Sequence, residues 1–467
     1  MSGGVAHRLP RVALLAFVVG LALHNLAMAL LTGWGVTGSA LDVVAAWKDA
    51  LLLLALAAAL WASRRVPLGL WADRLALLYA GLVVLYWLLP QDWLGGEATA
   101  RGELFALRHH LLPVGAYFLG RLLSLSPREW RVTGVVLAAT AAALALWGLV
   151  DVYAVGLQWW RDSGVPDWFH DQLGLRYEGL SGLPENWVLN RGAGEEPLRR
   201  LVSTLLSPLA SAYVLVVVLL YLAARRRPGP WWLASAALAY AGLLWTHTRA
   251  AYLVLAGGLV VLALAQRRRL PLVLALLSLV VSIGFVKAFP HIGPATSYTP
   301  EELEFLERQG AANPGEDTDP LSADESSLSS HWRNLRDGAR TVLEHPQGYG
   351  LGNAGVSASR TDVDVKAGES TYTEIGVDAG LAGAAALVAW WVALLVALWP
   401  RSAWLTAAVA SVAVLGLQTD VLGVHWLSYV LFALAGSALS GPGPCDDQSR
   451  GGVGRAAGGA DGSMPGA

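Results

Sequence analysis

Four groups of polar or glycine-rich residues interrupt an otherwise apolar chain, and each could bind a ligand or handle anions or protons. The run Trp245-Thr246-His247-Thr248-Arg249-Ala250 sets a guanidinium at the junction of two apolar stretches. A cation at such depth is costly unless it faces a cavity or a partner, and a guanidinium suits phosphate oxygens through paired hydrogen bonds. Arg249 is therefore a candidate anion clamp, the alternative being an arginine that snorkels to the interface. The second group follows Ser329-Ser330-His331. Projected as a helix, residues 331–345 put Trp332, Leu335, Ala339, Val342 and Leu343 on one face, with Arg333, Arg336 and Arg340 as a neighbouring stripe. Such a helix is expected to lie on a membrane domain with its cations toward an anionic substrate. The plainer reading is a solvated charged face partly neutralised by Asp337. Ser329 or Ser330 is expected to cap it, leaving His331 in the first turn, where the dipole disfavours imidazolium. A neutral imidazole is the form a general base needs.

The third group is Gly348-Tyr349-Gly350-Leu351-Gly352-Asn353. Three glycines in five residues permit tight turns and close backbone approach to a ligand, but the strand-to-helix setting of a dinucleotide site is absent. The fourth is Glu369, whose carboxylate could accept a proton from an attacking hydroxyl or orient His331. It could equally favour the N-terminal dipole of the next helix. Tyr372, three residues on, could stack on or hydrogen-bond a sugar. Further candidates are Lys48 beside Asp49, Arg108 beside His109 and His110, and Arg200 beside Arg199. Adjacent histidines point to different sides of a helix and are poor metal ligands together. The outer segments lack HxxxH, HExxH and DxD spacings, so no metal is expected, and no Walker-type loop suggests a bound nucleotide. No cofactor is expected.

The elements that must position these residues are helices in a bilayer. The composition is 55% hydrophobic and 15% charged with 21 Trp, which excludes an ordinary soluble domain and fits interfacial anchoring. With about 20 apolar residues per span, spans are predicted near 11–31, 43–61, 70–89, 104–125, 131–156, 203–223, 231–247, 250–265, 270–287, 374–398, 403–419 and 422–440. The expected fold is thus an all-α polytopic membrane protein of about twelve transmembrane helices, with a large extracytoplasmic loop between spans nine and ten. It divides into an N-terminal membrane domain at 1–287 with an outer loop at 157–202, the loop at 288–373, C-terminal membrane helices at 374–440 and a disordered cytoplasmic tail at 441–467. Ala27-Met28-Ala29 mimics a signal cleavage site, but the apolar run continues, so an uncleaved anchor is expected. The single Cys445 rules out a disulfide framework. A net charge of −2 gives no reason to expect nucleic acid.

Arg8, Arg11, Arg64, Arg65, Arg128, Arg131, Arg225 to Arg227, Arg267 to Arg269 and Arg401 mark alternate loops. The positive-inside rule makes those ends cytoplasmic and the polar insert extracytoplasmic. Lys48, Arg108, Arg200 and Arg249 then converge on one outer leaflet. Nucleotide sugars are normally absent there, so a transferase on that face needs a lipid-linked donor.

Taken in order, these residues resemble the O-antigen ligase and polymerase family, bacterial membrane glycosyltransferases of GT-C type. The resemblance rests on Lys48-Asp49, the Arg108 span ending Tyr117-Phe118-Leu119-Gly120-Arg121, the segment Arg200 to Pro208, Thr248-Arg249-Ala250, His345-Pro346 with Gly348 to Gly352, and Gly380-Leu381-Ala382-Gly383. Many ligases carry His-Asn where this chain has Glu369-Ser370, so the pattern is closer to a polymerase-like branch in which His331 and Glu369 share one role. The family implies metal-independent, inverting transfer of a glycan from an undecaprenyl-diphosphate donor to a hydroxyl of a glycan or lipid. Arg249 would be the main clamp, helped by Arg333, Lys48 and Arg108. His331 or Glu369 would activate or orient the acceptor. The implied setting is the inner or plasma membrane, with other polysaccharide-assembly proteins as possible partners. Two other classes fit twelve charged spans: a flippase or transporter, which lacks the expected two-half repeat, and a non-catalytic scaffold.

Overall fold

The computed structural model describes residues 3–191, 195–312 and 326–441. Cys445 and the tail from 442 lie outside the described residues. Helix occupies each of the twelve apolar windows. Among the described residues the single sheet is a two-residue antiparallel ladder, Val188–Leu189 with Leu198–Arg199. The protein is an all-α membrane protein. Seven helical stretches are long and apolar enough to cross a bilayer: Arg8–Gly33, Gly38–Ser63, Trp71–Leu88, Pro127–Ala154, Arg249–Gln266, Leu270–Ile292 and Thr371–Leu398. Pro208–Ala223, Ala403–Leu415 and Leu427–Ala438 are apolar but shorter. Ala100–Leu122 is long but carries Arg101, Glu103, Arg108 and Arg121.

Local chemistry sets the helix starts. Ser126 and Glu129 form a capping box, Ser126 Oγ accepting from Glu129 N at 3.3 Å and Glu129 Oε2 accepting from Ser126 N at 2.7 Å. Pro127 fills the first helical position, where a missing N–H costs nothing. Ser207 caps Pro208–Ala223 by accepting from Ala210 N at 3.3 Å. Between helices, small residues allow close approach, which replaces the hydrophobic driving force that lipid does not supply. A side chain at Gly120 would collide with the Ala433 carbonyl, and one at Gly436 with the Tyr117 carbonyl. Buried ion pairs fix the bundle further. Asp73, fully buried, accepts from Tyr117 Oη and Arg121 Nε, both at 2.7 Å. Asp151 takes Arg199 at 3.2 Å and Trp160 Nε1 at 2.6 Å. Tyr117, Gly120 and Arg121 of the family-like stretch are therefore packing residues.

The polar segments that connect the apolar helices pack on one another. Arg161 pairs with Glu302 at 2.6 Å, Arg199 N donates to Pro294 O at 2.8 Å, and Arg360 Nε donates to Leu173 O at 2.9 Å. The Ser326–Glu344 helix lies on the first half of Thr371–Leu398 through a face that keeps Leu335 and Val342 of the projected one but leaves out Trp332, Ala339 and Leu343. Val342 is buried against Gly376, and Gly338 abuts Thr373. Trp332 is 69% and Leu343 70% exposed. Glycine at 338 and 376 lets the helices close up, so the packing face is the one with the smallest side chains. The helix is already formed at Ser326. Ser329 and Ser330 are thus internal rather than caps, and His331 sits in the second turn.

Thr371–Leu398 is broken at Ala379 and Gly380, the latter at φ +65°. The Gly-rich segment docks into the break: Tyr349 N donates to Val377 O at 2.7 Å and Leu381 N to Pro346 O at 2.9 Å. A β-carbon at Gly380 would stand 2.7 Å from Pro346 O. Gly348, at φ +75°, faces Gly380 directly. These glycines serve backbone against backbone.

Candidate functional site

A cavity of about 740 Å³ opens between the membrane helices and the insert. Ala100–Leu122 contributes Phe105, Arg108 and His109; Pro208–Ala223 contributes Tyr213; Ser326–Glu344 contributes Asn334, Asp337 and Thr341. Residues 355–369 close it with Arg360, Lys366 and Glu369, and Glu374, Asp420 and His425 complete the lining.

The cations are held by the fold. Asp49 lies 2.9 Å from Arg108 Nε and also accepts from Tyr429 Oη, so the acid of the Lys48-Asp49 pair aims Arg108. Arg360 stacks its guanidinium 4.6 Å from the Phe105 ring centre, with Arg101 5.2 Å from the same ring. Burial, reinforced by the nearby charges of Arg108 and Arg101, pushes the Arg360 guanidinium down to about 10. Like charges gathered this closely in a low dielectric are a ready counterpart for an anion.

The acids divide by depth. His109 Nε2 lies 3.3 Å from Asp420 Oδ1, and Asp420 also accepts from Leu422 N at 3.0 Å and Gly423 N at 2.9 Å. Glu374 is 7% exposed and lies within range of the Glu369 backbone N–H. One ligand-type atom each of His109, Glu374 and Asp420 falls within 4.8 Å of the others. That set could gather a cation, yet both Asp420 oxygens already serve His109 and two backbone amides. At the rim, His331 Nδ1 is 2.6 Å from Glu369 Oε2. This hydrogen bond, with a weaker one from Asn334, holds the Glu369 carboxyl below its ordinary value.

Of the residues singled out from sequence, Arg108 and Glu369 line the cavity, and His331 reaches it through Glu369. The others stand outside the lining. Lys48 is buried, its Nζ 2.9 Å from both His24 Nε2 and Ala45 O. Arg200 braces the turn before Arg249, donating from Nε to Thr246 O at 2.9 Å and from a terminal nitrogen to Thr248 Oγ1 at 3.2 Å. Arg200 is also close enough to Tyr213 to act on it electrostatically. Arg249 is the first residue of Arg249–Gln266 and half-buried. Arg333 is exposed. Tyr372 faces the Ala403–Leu415 helix, donating to Ala413 O at 2.7 Å. Arg340 pairs with Glu344 at 2.7 Å, so from this helix the cavity receives Asn334, Asp337 and Thr341 rather than the arginine stripe.

His109, Arg360, Lys366, Glu374 and Asp420 were not anticipated as site residues. The available signal was the acid content of apolar windows. Glu374 and Asp378 are four residues apart in one such window, and an acid there is expensive unless it faces a cavity or a partner.

The sequence model described as O-antigen ligase matches residues 233–388. The match takes in Arg249, His331, Arg360, Glu369 and Glu374, and supports assignment to the O-antigen ligase and polymerase family. No curated protein matches the chain.

Proposed function

With an O-antigen ligase domain at 233–388 as premise, we propose that this membrane protein transfers or polymerises glycans. The donor is a glycan on undecaprenyl diphosphate, and the acceptor is a hydroxyl of another glycan or a lipid on the extracytoplasmic face. The observation that carries this reading is one cavity holding Arg108 and Arg360 together with His109, Glu374 and Asp420. A glycosyl diphosphate leaves as an anion, and fixed guanidinium groups in a water-poor site stabilise the charge as it develops. Arg108 and Arg360 are proposed to hold the diphosphate, while Arg200 adds positive potential near Tyr213 and Arg249 adds to it from the start of the Arg249–Gln266 helix. The His331–Glu369 pair at the rim is proposed to orient the acceptor sugar. Displacement from the face opposite the diphosphate inverts the anomeric centre, and cationic side chains take the role a metal would otherwise have. Twelve spans in a GT-C-like arrangement, with the insert outside, complete the proposed architecture.

The test is transfer in a purified system. Full-length protein in nanodiscs, given a lipid-diphosphate oligosaccharide and a soluble acceptor in the presence of chelator, is expected to yield lengthened or transferred glycan. A strict divalent-metal requirement would overturn the metal-free mechanism. Movement of donor across vesicles with no new glycosidic bond would replace the reading with a transporter.

A further inference from the structure

Resting on that reading, we propose that Glu374 is the catalytic base that takes the acceptor proton, with His109 and Asp420 as the pair that positions the attacking hydroxyl. Glu374 lies in the first half of the broken helix, where it lines the cavity while being more than nine-tenths buried. A β-carbon on Gly355 would strike its carboxylate. Backbone therefore covers one side of the carboxylate, and Gly355 is held there by its N–H to Ala367 O at 2.8 Å. His109 is one residue beyond Arg108, about 100° around the same helix. One element thus carries a diphosphate ligand and a neighbour of the base.

The two acids beside His109 are not equivalent. Asp420 is engaged by Leu422 N, Gly423 N and His109, so its role is to fix the imidazole. Glu374 is the acid whose surroundings leave it addressed to the cavity. Glu369, by contrast, is 46% exposed and bound to His331. A base shielded from water keeps the proton transfer confined to acceptor and protein.

In the step, the acceptor oxygen forms a bond to the anomeric carbon. The bond from that carbon to the diphosphate oxygen breaks, and its electron pair departs on the diphosphate beside Arg108 and Arg360. The acceptor's proton passes to the Glu374 carboxylate. Charge and atoms balance with no other reactant.

The experiment compares wild type, Glu374→Gln and Glu374→Asp, all full length in nanodiscs. It measures binding of a lipid-diphosphate oligosaccharide, turnover with a hydroxyl acceptor, and turnover with an acceptor carrying a thiol at the reacting position. Glu374→Gln is expected to bind donor within about twofold of wild type and to lose turnover roughly 10²-fold or more. Glu374→Asp should recover part of it. The thiol acceptor, which ionises without help, should narrow the gap between Glu374→Gln and wild type at least tenfold. Equal losses with hydroxyl and thiol acceptors, or loss of donor binding in step with turnover, would assign Glu374 a structural role. So would wild-type turnover in Glu374→Gln. Wild type made inactive by chelator, with a divalent ion retained by wild type and lost in Glu374→Gln, would make the cluster a metal site instead. Wild type that forms no glycosidic bond in any arm would overturn the transferase reading itself, and this role with it.

Discussion

His109 and His110 are neighbours in sequence, each beside an aspartate distant in sequence, Asp420 from a loop and Asp378 from a helix, yet their surroundings differ. His110 Nε2 lies 3.1 Å from Asp378 Oδ2, and its Nδ1 lies 3.0 Å from Tyr79 Oη. The other oxygen of Asp378 accepts from Gly352 N at 3.1 Å and Asn353 N at 3.2 Å. Both side chains of this pair are 3–4% exposed. His109 and Asp420 are 20% and 11% exposed, and both line the cavity. The same two residue types thus make a cross-link in one direction and a wall of the site in the other. What separates them is whether a void adjoins the pair. A helical turn of 100° per residue is enough to take neighbouring side chains from one setting to the other.

Substitutions should split the pairs along stability and activity. The largest effect is expected from Asp378→Ala, which orphans His110 and two backbone amides. A cost of about 3–5 kcal/mol should appear as a large fall in thermal unfolding temperature in detergent. An unchanged melt would erase the distinction drawn here. Asp420→Asn should do the reverse, lowering turnover roughly 10²-fold while stability changes by only about 1 kcal/mol. Arg360→Ala should weaken donor binding about tenfold, the value of a charge-assisted hydrogen bond, measured with fluorescent lipid diphosphate.

The histidine–acid pair at the cavity rim, His331–Glu369, is more exposed than either of these and should give a smaller effect. Glu369 has a folded value below the usual 4.5, caused first by its hydrogen bond with His331. Its contribution is therefore fully present above the usual value and is lost as pH falls through the lowered one. Given its exposure, less than about 1 kcal/mol is at stake. Unfolding followed from pH 7 to pH 3 should show this loss in wild type and not in Glu369→Gln. Glu344→Gln, which removes only an exposed partner of Arg340, should leave both stability and turnover at wild-type values. A defect there would argue that the outer face of its helix belongs to the site.

Much of the fold was legible because a bilayer imposes length and apolarity on each span. All twelve windows hold helix, with ends displaced by a few residues. Legibility was lower where one residue type has two uses. Lys48 and Arg108 look alike as outer cations, but Lys48 is enclosed by His24 and Ala45 O while Arg108 is aimed by Asp49 into the cavity. The projected face of the insert helix held at Leu335 and Val342 and missed at Trp332 and Leu343, because every large apolar side chain was assumed to face protein. In a helix resting on glycines, Trp332 and Leu343 can point away. The His109–Asp420 pair was beyond reach for another reason. Its members are far apart in sequence, and nothing local announces their contact.

The break at Ala379 and Gly380 divides one helix into two mechanical parts with different neighbours. Before it lie Glu374 and Asp378, tied to the insert; after it, Trp390 packs with Tyr79, Tyr117 and Phe432 in the bundle. Because the insert reaches the break chiefly through main-chain bonds, those attachments do not depend on which side chains the insert carries. Residues 355–368, which bring Gly355 and Arg360 to the cavity, are thus carried by a support whose own hold on the break is main-chain. In this protein a discontinuity in one helix is the boundary between the half that carries the insert and the half that belongs to the bundle.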